Sequence, residues 1–412
     1  MSADSLLPRG LAIRVFACLA GGYFMSYALR SINAAIAPEL VREFGLSNAA
    51  LGSLSAAYFF AFAAMQLPLG TWLDRYGSRR TDAALLLLAA AGCFVFSMAQ
   101  GVGMLWVGRA LIGAGVAGAL MSSLRAFRFW YAPQRQGQLV AWMLVVGTGG
   151  ALASTVPVRA ALPIYGWRGV FVAAGVLLIV ASMAIRWLLP RNEQTQPKVA
   201  NGPGLWRGYL DVYADRYFWR FGVMAVVVHS GFISFQSLWT GPWFTEVLAM
   251  TPDQAAEALF LLNLVLMFGF LLLGWLAPRL ERAGLSVLRL VALTTVVVIA
   301  LHVAIAFASG PLALVLWIVY AVVATYYTLM QTHVSLSFPP ALTGRAFTAY
   351  NLLIFGGIFL AQWLFGGLID LIATTGVPLE LAFRRALLVW TGAEVLALAW
   401  LVGFRARPRT AA

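Results

Sequence analysis

The chain has 412 residues, 62% of them hydrophobic and 10% charged, with 28 Lys and Arg against 15 Asp and Glu. A soluble chain of this length would be expected to form two or three domains, but so few charges cannot cover a water-exposed surface. The composition therefore excludes an ordinary soluble protein, and the two cysteines, Cys18 and Cys93, imply neither a disulfide framework nor a metal site.

Twelve apolar segments follow one another along the chain, and each is long enough to form a helix across the bilayer. Such a helix requires about 20 consecutive apolar residues, and Gly or Pro inside it is tolerated because neighbouring helices satisfy the backbone. We therefore predict an all-α membrane protein with twelve transmembrane helices, called spans 1 to 12. They lie near residues 11–37, 48–73, 81–101, 104–128, 136–160, 167–189, 219–247, 253–277, 285–309, 311–337, 344–373 and 381–404.

The basic residues are distributed unevenly between the two sides of the predicted membrane. Of the 28, 21 lie in loops, tails or span ends on the side that includes both termini, and five lie in loops or span ends on the opposite side. The remaining two, Arg30 and Arg109, lie farther inside spans. Basic loops mark the cytoplasmic side. We therefore predict a bacterial-type inner (plasma) membrane protein with both termini cytoplasmic, whose partner is the lipid bilayer and not a nucleic acid.

Span 1 contains a charged residue far from either loop. Arg30 lies about two-thirds of the way along it, and a charge at such depth usually faces a cavity or a partner. Tyr23 and Tyr27 share its helical face. A guanidinium can hold a carboxylate or phosphate through two hydrogen bonds, so Arg30, Tyr23 and Tyr27 are candidate substrate-binding residues. The alternative is an interhelical lock or a side chain that extends to the membrane surface.

Spans 2 and 3 are joined by the charged run 70–80, with the pattern Gly-x-x-x-Asp-Arg-x-Gly-x-Arg-Arg. It resembles the loop between helices 2 and 3 of the major facilitator superfamily (MFS) of secondary transporters. The resemblance implies a cytoplasmic gate that rearranges when the two halves rock; a generic basic loop is the alternative. In this gate Gly70 would allow close helix approach, Gly77 a tight turn, and Asp74 a pair with arginines of its own half. The predicted gate residues are Gly70, Asp74, Arg75, Gly77, Arg79 and Arg80.

Span 4 carries a second MFS-like signature, which begins at Arg109 and continues through Gly113, Gly115 and Gly118. The spacing of these small residues permits close helix packing. Arg109 could bind substrate or serve helix packing, and both possibilities stay open. Drug antiporters of this superfamily typically show a Gly-Pro pair in helix 5, whereas Pro157 stands apart from the glycines of span 5, which argues against a drug antiporter.

A hydrophilic segment rich in Pro, Gly and amides separates six spans from six. We predict an N-terminal six-helix bundle at 1–189, a cytoplasmic linker at 190–218 with an interfacial helix over 211–220, and a C-terminal six-helix bundle with a short basic tail at 219–412. Paired bundles of this kind bind substrate at the membrane midplane between the two repeats.

Polar residues of spans 7, 10 and 11 are further pocket candidates. In span 7, the spacing places His229, Gln236 and Thr240 on one face. His229 is the best candidate for coupling to protons, and a hydrogen-bonded structural histidine is the alternative. The predicted pocket residues of this half are His229, Gln236, Tyr320, Tyr327 and Asn351. His302 in span 9 and Glu394 in span 12 are interpreted as structural.

The run 27–33 in span 1 resembles helix 1 of the organic-anion branches of the MFS, which include sugar-phosphate-permease-like antiporters and anion:cation symporters. An arginine at this position binds the anionic substrate group in those families. Span 7 lacks the second arginine of the phosphate-ester carriers, and Leu29 stands where many anion:cation symporters have an acid. The sequence therefore favours a carboxylate or zwitterion over a phosphate ester.

We predict a secondary active transporter that moves a small organic anion or zwitterion by alternating access, through uptake coupled to H⁺ or through anion exchange, as a monomer. The alternatives are a drug or metabolite efflux antiporter, or a ligand-sensing transporter homologue. The sequence contains no convincing nucleophile–base pair, metal cluster or phosphate-binding glycine loop. An enzyme is therefore not expected, and neither is a cofactor or a metal.

Overall fold

The computed structural model describes residues 7–190 and 205–406, which are helical and contain no strand. The first half contains α1 (Arg9–Phe44), α2 (Asn48–Ser97), α3 (Val102–Val116), α4 (Ala119–Trp130), α5 (Pro133–Ala153) and α6 (Val156–Leu188). The second half contains α7 (Leu205–Tyr213), α8 (Arg216–Met224), α9 (Ser230–Ser234), α10 (Thr240–Pro242), α11 (Pro252–Arg282), α12 (Val287–Phe307), α13 (Gly310–Ala324), α14 (Thr328–Leu336), α15 (Pro340–Ala373) and α16 (Leu379–Gly403).

The described helices account for the twelve predicted spans. Ten of them are long and apolar enough to cross a membrane, and the apolar helix at Gln138–Ala153 is shorter. One of the ten, α2, holds spans 2 and 3, because the backbone breaks at Gly77 (φ 76°, ψ 169°). A second break, at Gly166, divides α6 between spans 5 and 6. The predicted all-α membrane fold is confirmed.

Span 7 is not a regular α-helix. Three π-helical segments, Ala225–His229, Phe235–Trp239 and Trp243–Val247, alternate with α8, α9 and α10. Hydroxyl groups along the span donate back to backbone carbonyls: Ser237 Oγ to Ile233 O at 2.6 Å and Thr240 Oγ1 to Phe235 O at 2.8 Å. Such bonds compete with the regular α-helical ladder, and each π turn winds one residue more than an α turn.

The predicted interfacial helix over 211–220 is replaced by two helices. One ends at Tyr213 and the next begins at Arg216. Asp215 caps the second, because its Oδ1 accepts a hydrogen bond from the backbone N–H of Phe218 at 3.0 Å, and such a cap fixes a helix start. The linker residues 191–204 lie outside the described residues.

The chain divides into two compact units, and the division differs from the predicted bundles at one place. Unit 1 consists of Met1–Phe44 and Ala57–Val199, and unit 2 of Gly45–Ala56 and Ala200–Ala412. The first turns of α2 thus belong to unit 2, although the sequence assigns them to the N-terminal bundle.

A carboxylate of α15 holds the start of α2 in unit 2. Asp370 accepts hydrogen bonds from the backbone N–H of Asn48 at 3.1 Å, the Asn48 side-chain amide at 2.8 Å and the backbone N–H of Ala49 at 2.7 Å. The first N–H groups of a helix have no partner within it, so an acceptor from another helix satisfies them. A side chain at Gly366 would lie 2.3 Å from the Asn48 carbonyl oxygen, so glycine permits the close contact.

Candidate functional site

In unit 1, Arg30 lies among aromatic rings. Its Cζ atom is 4.4 Å from the centre of the Tyr27 ring and 5.9 Å from that of Phe59. Tyr23 packs edge-on against Tyr27, with ring centres 5.0 Å apart, and the Tyr58 hydroxyl interacts with the guanidinium. Aromatic faces attract a guanidinium and leave its N–H fork suited to a carboxylate. The predicted cluster of Tyr23, Tyr27 and Arg30 is therefore a contiguous group.

Arg109 is more fully buried than Arg30, with an exposed fraction of 0%. Its Nη1 donates to the carbonyl oxygen of Leu29 at 2.8 Å, at the residue directly before Arg30. Its Cζ lies 5.0 Å from the centre of the Tyr58 ring, and the Tyr58 hydroxyl donates to the Ser26 carbonyl at 3.1 Å. The structure thus places Arg109 where α1, α2 and α3 pack, and its contact with α1 positions the backbone that carries Arg30.

In unit 2, two of the predicted polar residues, Gln236 and Asn351, each pair with another amide side chain. Gln236 Nε2 donates to Asn263 Oδ1 at 2.7 Å, and Gln331 Nε2 donates to Asn351 Oδ1 at 3.0 Å. His229 is buried in the first π segment of span 7, and its Nδ1 has no hydrogen-bond partner among the described residues. Because π turns change the helical register, the shared face of His229 and Gln236 stays a prediction.

The two predicted pocket tyrosines of span 10 are buried. Tyr320 is 3% exposed and Tyr327 is 0% exposed. The Tyr320 ring centre lies 4.6 Å from that of His302, whose Nδ1 is 2.9 Å from Oε2 of Glu394. These tyrosines therefore belong to the surroundings of a buried histidine–glutamate pair, whose two members the sequence analysis interpreted as structural.

The charged run between spans 2 and 3 forms a turn with an ion pair. At Gly77 the positive φ of 76° lies in a region that favours glycine, so the tight turn predicted there is present. Asp74 Oδ1 lies 2.6 Å from Nη1 of Arg125 on α4, which is a pair within the same half, as expected. Arg79 donates from Nε to the Arg186 carbonyl at 2.8 Å and also from Nη2.

The other predicted gate residues make fewer contacts. Arg75 lies over the ring of Tyr76, with Cζ 5.2 Å from its centre, and Arg80 is exposed. A Cβ atom at Gly70 would meet no described atom within 4 Å. The close helix approach predicted for Gly70 is therefore absent from this structure.

Sequence reasoning missed several residues that build these sites. Tyr58 and Phe59 are fully buried beside the two arginines of unit 1. The sequence feature that could have identified them is an aromatic pair in span 2 at a membrane depth similar to that of Arg30. Asp82, placed near the loop by the sequence, is also 0% exposed, and the Ser122 hydroxyl faces it. Among the described residues, no group of three or more His, Cys, Asp or Glu could hold a metal ion.

Comparison with protein-family models matches residues 19–362 to the Major Facilitator Superfamily. A bacterial homologue of the human lysosomal transporter Spinster, in an inward-facing and occupied conformation, has the same fold, with a TM-score of 0.79 and 18% identity over 98% of this chain and 100% of that one. This likeness concerns the fold alone.

Two relatives are transporters of organic acids by name. The probable sulfoacetate transporter SauU of Cupriavidus necator is 31% identical over 159 residues, 38% of this chain and 36% of the relative. The gentisate transporter of Corynebacterium glutamicum is 23% identical over 298 residues, 68% of this chain and 66% of the relative. The chain thus spans 36% and 66% of the lengths of these two proteins. These two relatives are transporters and not enzymes. Since the family match extends over most of its length, the chain belongs to the Major Facilitator Superfamily.

Proposed function

We propose that this protein transports a small organic acid, bound through its carboxylate by Arg30, across a bacterial-type inner membrane by alternating access. Both termini lie in the cytoplasm and the working unit is a monomer. Transport is uptake, driven by proton symport or by anion exchange. The single observation that carries the substrate class is the guanidinium of Arg30 with Tyr27 and Phe59 at 4.4 and 5.9 Å from its Cζ.

The chemistry of this cluster favours an acid that also has a flat or apolar part. A carboxylate can accept two parallel N–H bonds from a guanidinium, while aromatic side chains offer faces and edges to a ring. Gentisate, an aromatic hydroxy acid, has both features, and sulfoacetate is a small dianion without a ring. The names of these two relatives therefore supply two acids for comparison. Gentisate has the ring that the aromatic residues would recognise, and sulfoacetate lacks it.

The first experiment measures the thermal unfolding of purified protein with gentisate, sulfoacetate or the organic cation tetraphenylphosphonium. A ligand that binds only the folded state raises the melting temperature by mass action. We expect gentisate to give the largest increase and Arg30→Ala to weaken its binding at least about tenfold, because hydrogen bonds to a charged group contribute roughly 1.5–3 kcal/mol. Arg30→Lys, which keeps the charge without the fork, should restore only part of the affinity.

Arg14→Ala is the matched control, because Arg14 lies on the same helix and is exposed. It should leave the gentisate effect unchanged. Stabilisation by tetraphenylphosphonium alone, retained in Arg30→Ala, would contradict the proposal and favour an exporter of organic cations.

A further inference from the structure

Two ionisable side chains in unit 2 form a pair inside the membrane domain. His302 on α12 and Glu394 on α16 are 0% and 1% exposed, and Nδ1 of His302 lies 2.9 Å from Oε2 of Glu394. The other ring nitrogen of His302, Nε2, has no hydrogen-bond partner among the described residues. The pair thus joins two helices that the sequence analysis did not assign to the pocket.

The pair is surrounded by aromatic side chains of the neighbouring elements. The His302 ring centre lies 4.6 Å from that of Tyr320 on α13, 5.4 Å from that of Phe235 in span 7 and 6.3 Å from that of Trp317. An apolar environment of this kind strongly disfavours an uncompensated charge. A change in the net charge of the pair is therefore costly in these surroundings.

We propose that the His302–Glu394 pair binds and releases the proton that drives transport. With a neutral imidazole and an ionised carboxylate, the pair carries one negative charge. Taking up one proton from water makes its net charge zero, and releasing that proton restores the negative charge. Because the two groups are in contact, the proton belongs to the pair and not to either residue. This assignment rests on the proposed function, since it requires proton-coupled transport.

The same physics explains why such a proton would be coupled to a conformational change. A buried pair with zero net charge is tolerated in a closed, apolar packing, whereas a net negative pair is not. Release of the proton therefore favours a conformation that admits water or another compensating group. A change of conformation that opens this packing conversely favours release.

The titratable neighbours of the pair are few in the part of the chain that the structure describes. Tyr320 and Tyr327 interact electrostatically with Glu394. His229 lies in span 7, six residues before Phe235. The charged residues of α12 and α16 that lie towards the helix ends are at least nine residues from the pair along their own helices; they are Arg289, Glu380, Arg384 and Arg385.

The pair is also in contact with the helix that carries the polar candidates of this unit. Phe235, which packs on His302, directly precedes Gln236, and both belong to the π segment Phe235–Trp239. A change in the charge or packing of His302 would therefore act on the π segment that also carries Gln236. Through this contact, protonation of the pair can affect span 7, which carries candidate substrate-binding residues.

Buried carboxylates elsewhere do not offer the same chemistry. Asp215 caps α8, and Asp82 faces the hydroxyl of Ser122. Asp82 has no histidine partner in the described contacts, so it cannot exchange a proton within such a pair. Asp82 is nevertheless the appropriate rival, because it is also 0% exposed.

The test that needs no substrate is infrared difference spectroscopy of the purified protein. Spectra are compared before and after a step in pH. We expect one pH-dependent carboxyl or imidazole component that is present in the wild type and absent from both Glu394→Gln and His302→Gln. Glu380→Gln, an exposed carboxylate on the same helix, is the matched control and should retain the component.

Two results would overturn the assignment. One is a wild-type spectrum that contains no component dependent on His302 and Glu394. The other is a component that disappears only in Asp82→Asn, which would move the proton to that carboxylate. If one of the two pair variants does not fold, the other still decides the test, because each removes one member of the pair.

Transport in proteoliposomes with labelled gentisate supplies the second test. Glu394→Gln and His302→Gln should retain exchange of external for internal gentisate but lose accumulation driven by a pH gradient. Undiminished accumulation by both variants would contradict the inference. Wild-type exchange without any response to a pH gradient would also overturn it and leave the proposed function intact. Absence of all gentisate transport would instead contradict the choice of substrate, and the infrared test would still decide the proton site.

Discussion

Two arginines inside the spans differ in what their surroundings allow. Arg30 is half-buried among aromatic rings, whereas Arg109 is fully buried and donates to the backbone beside Arg30. A guanidinium has five donors in a fixed fork. Only a guanidinium with solvent access can exchange water for a substrate carboxylate. At the scale of the single residue, the extent of burial distinguishes Arg30, proposed to bind substrate, from Arg109, which contacts the backbone beside it.

Gly77 and Gly70 allow a test of the turn between spans 2 and 3. We expect Gly77→Ala to destabilise the folded protein by about 1–3 kcal/mol, because its φ of 76° and ψ of 169° lie in a region open essentially only to glycine. Gly70→Ala should leave stability unchanged or raise it slightly, since the position is helical with open space around it. Thermal unfolding of the two variants in detergent checks this, and an equal loss in both would contradict the assigned turn.

The sequence could predict the residues of the Arg30 cluster only in part. Tyr23, Tyr27 and Arg30 lie on one helix, so the periodicity of 3.6 residues places them together. Tyr58 and Phe59 come from another helix, and no spacing within one segment predicts which helices pack at which depth. The same limit separated His302 from Glu394, which are 92 residues apart in the chain and 2.9 Å apart in space.

At the scale of the helix, hydropathy predicted the spans well and their interruptions poorly. The length of an apolar run is set by the bilayer, so the number and order of the spans follow from the sequence. Hydroxyl groups of Ser237 and Thr240 bond to local carbonyls in and beside the second π segment of span 7, and the division at Asp215 is accompanied by one cap. Such local hydrogen bonds leave the hydropathy profile unchanged.

Adjacent glycines in α15 test the close contact with the start of α2. We expect Gly366→Ala to destabilise the protein by about 1–3 kcal/mol, because its Cβ would lie 2.3 Å from the Asn48 carbonyl oxygen. Gly367→Ala, next to it in the chain, meets no described atom within 4 Å and should be nearly neutral. The measurement is the melting temperature of each variant. Equal values would show that the contact does not limit stability.

At the scale of the whole molecule, the exposed gate pair is expected to control movement and not stability. Asp74 is 79% exposed, and exposed ion pairs contribute little to folding. We therefore expect Asp74→Asn to slow gentisate exchange about fivefold or more, as a coupling between conformations would, without changing the thermal shift produced by gentisate.

Glu257→Gln serves as the control for this gate prediction, because it removes one exposed carboxylate elsewhere in the chain. Its exchange rate should match that of the wild type. A normal exchange rate in Asp74→Asn, or an equal reduction in both variants, would show that the Asp74–Arg125 pair is no gate.

The π segments of span 7 also bear on how this helix tolerates a change in length. Each of the three holds a residue in excess of an α turn. Deleting one residue within such a turn leaves enough chain to close ordinary α-helical bonds, whereas the same deletion in a regular helix rotates every later side chain by about 100°. Span 7 can therefore lose one residue within a π segment and remain a continuous helix. Related transporters could differ in length by one residue at such a segment.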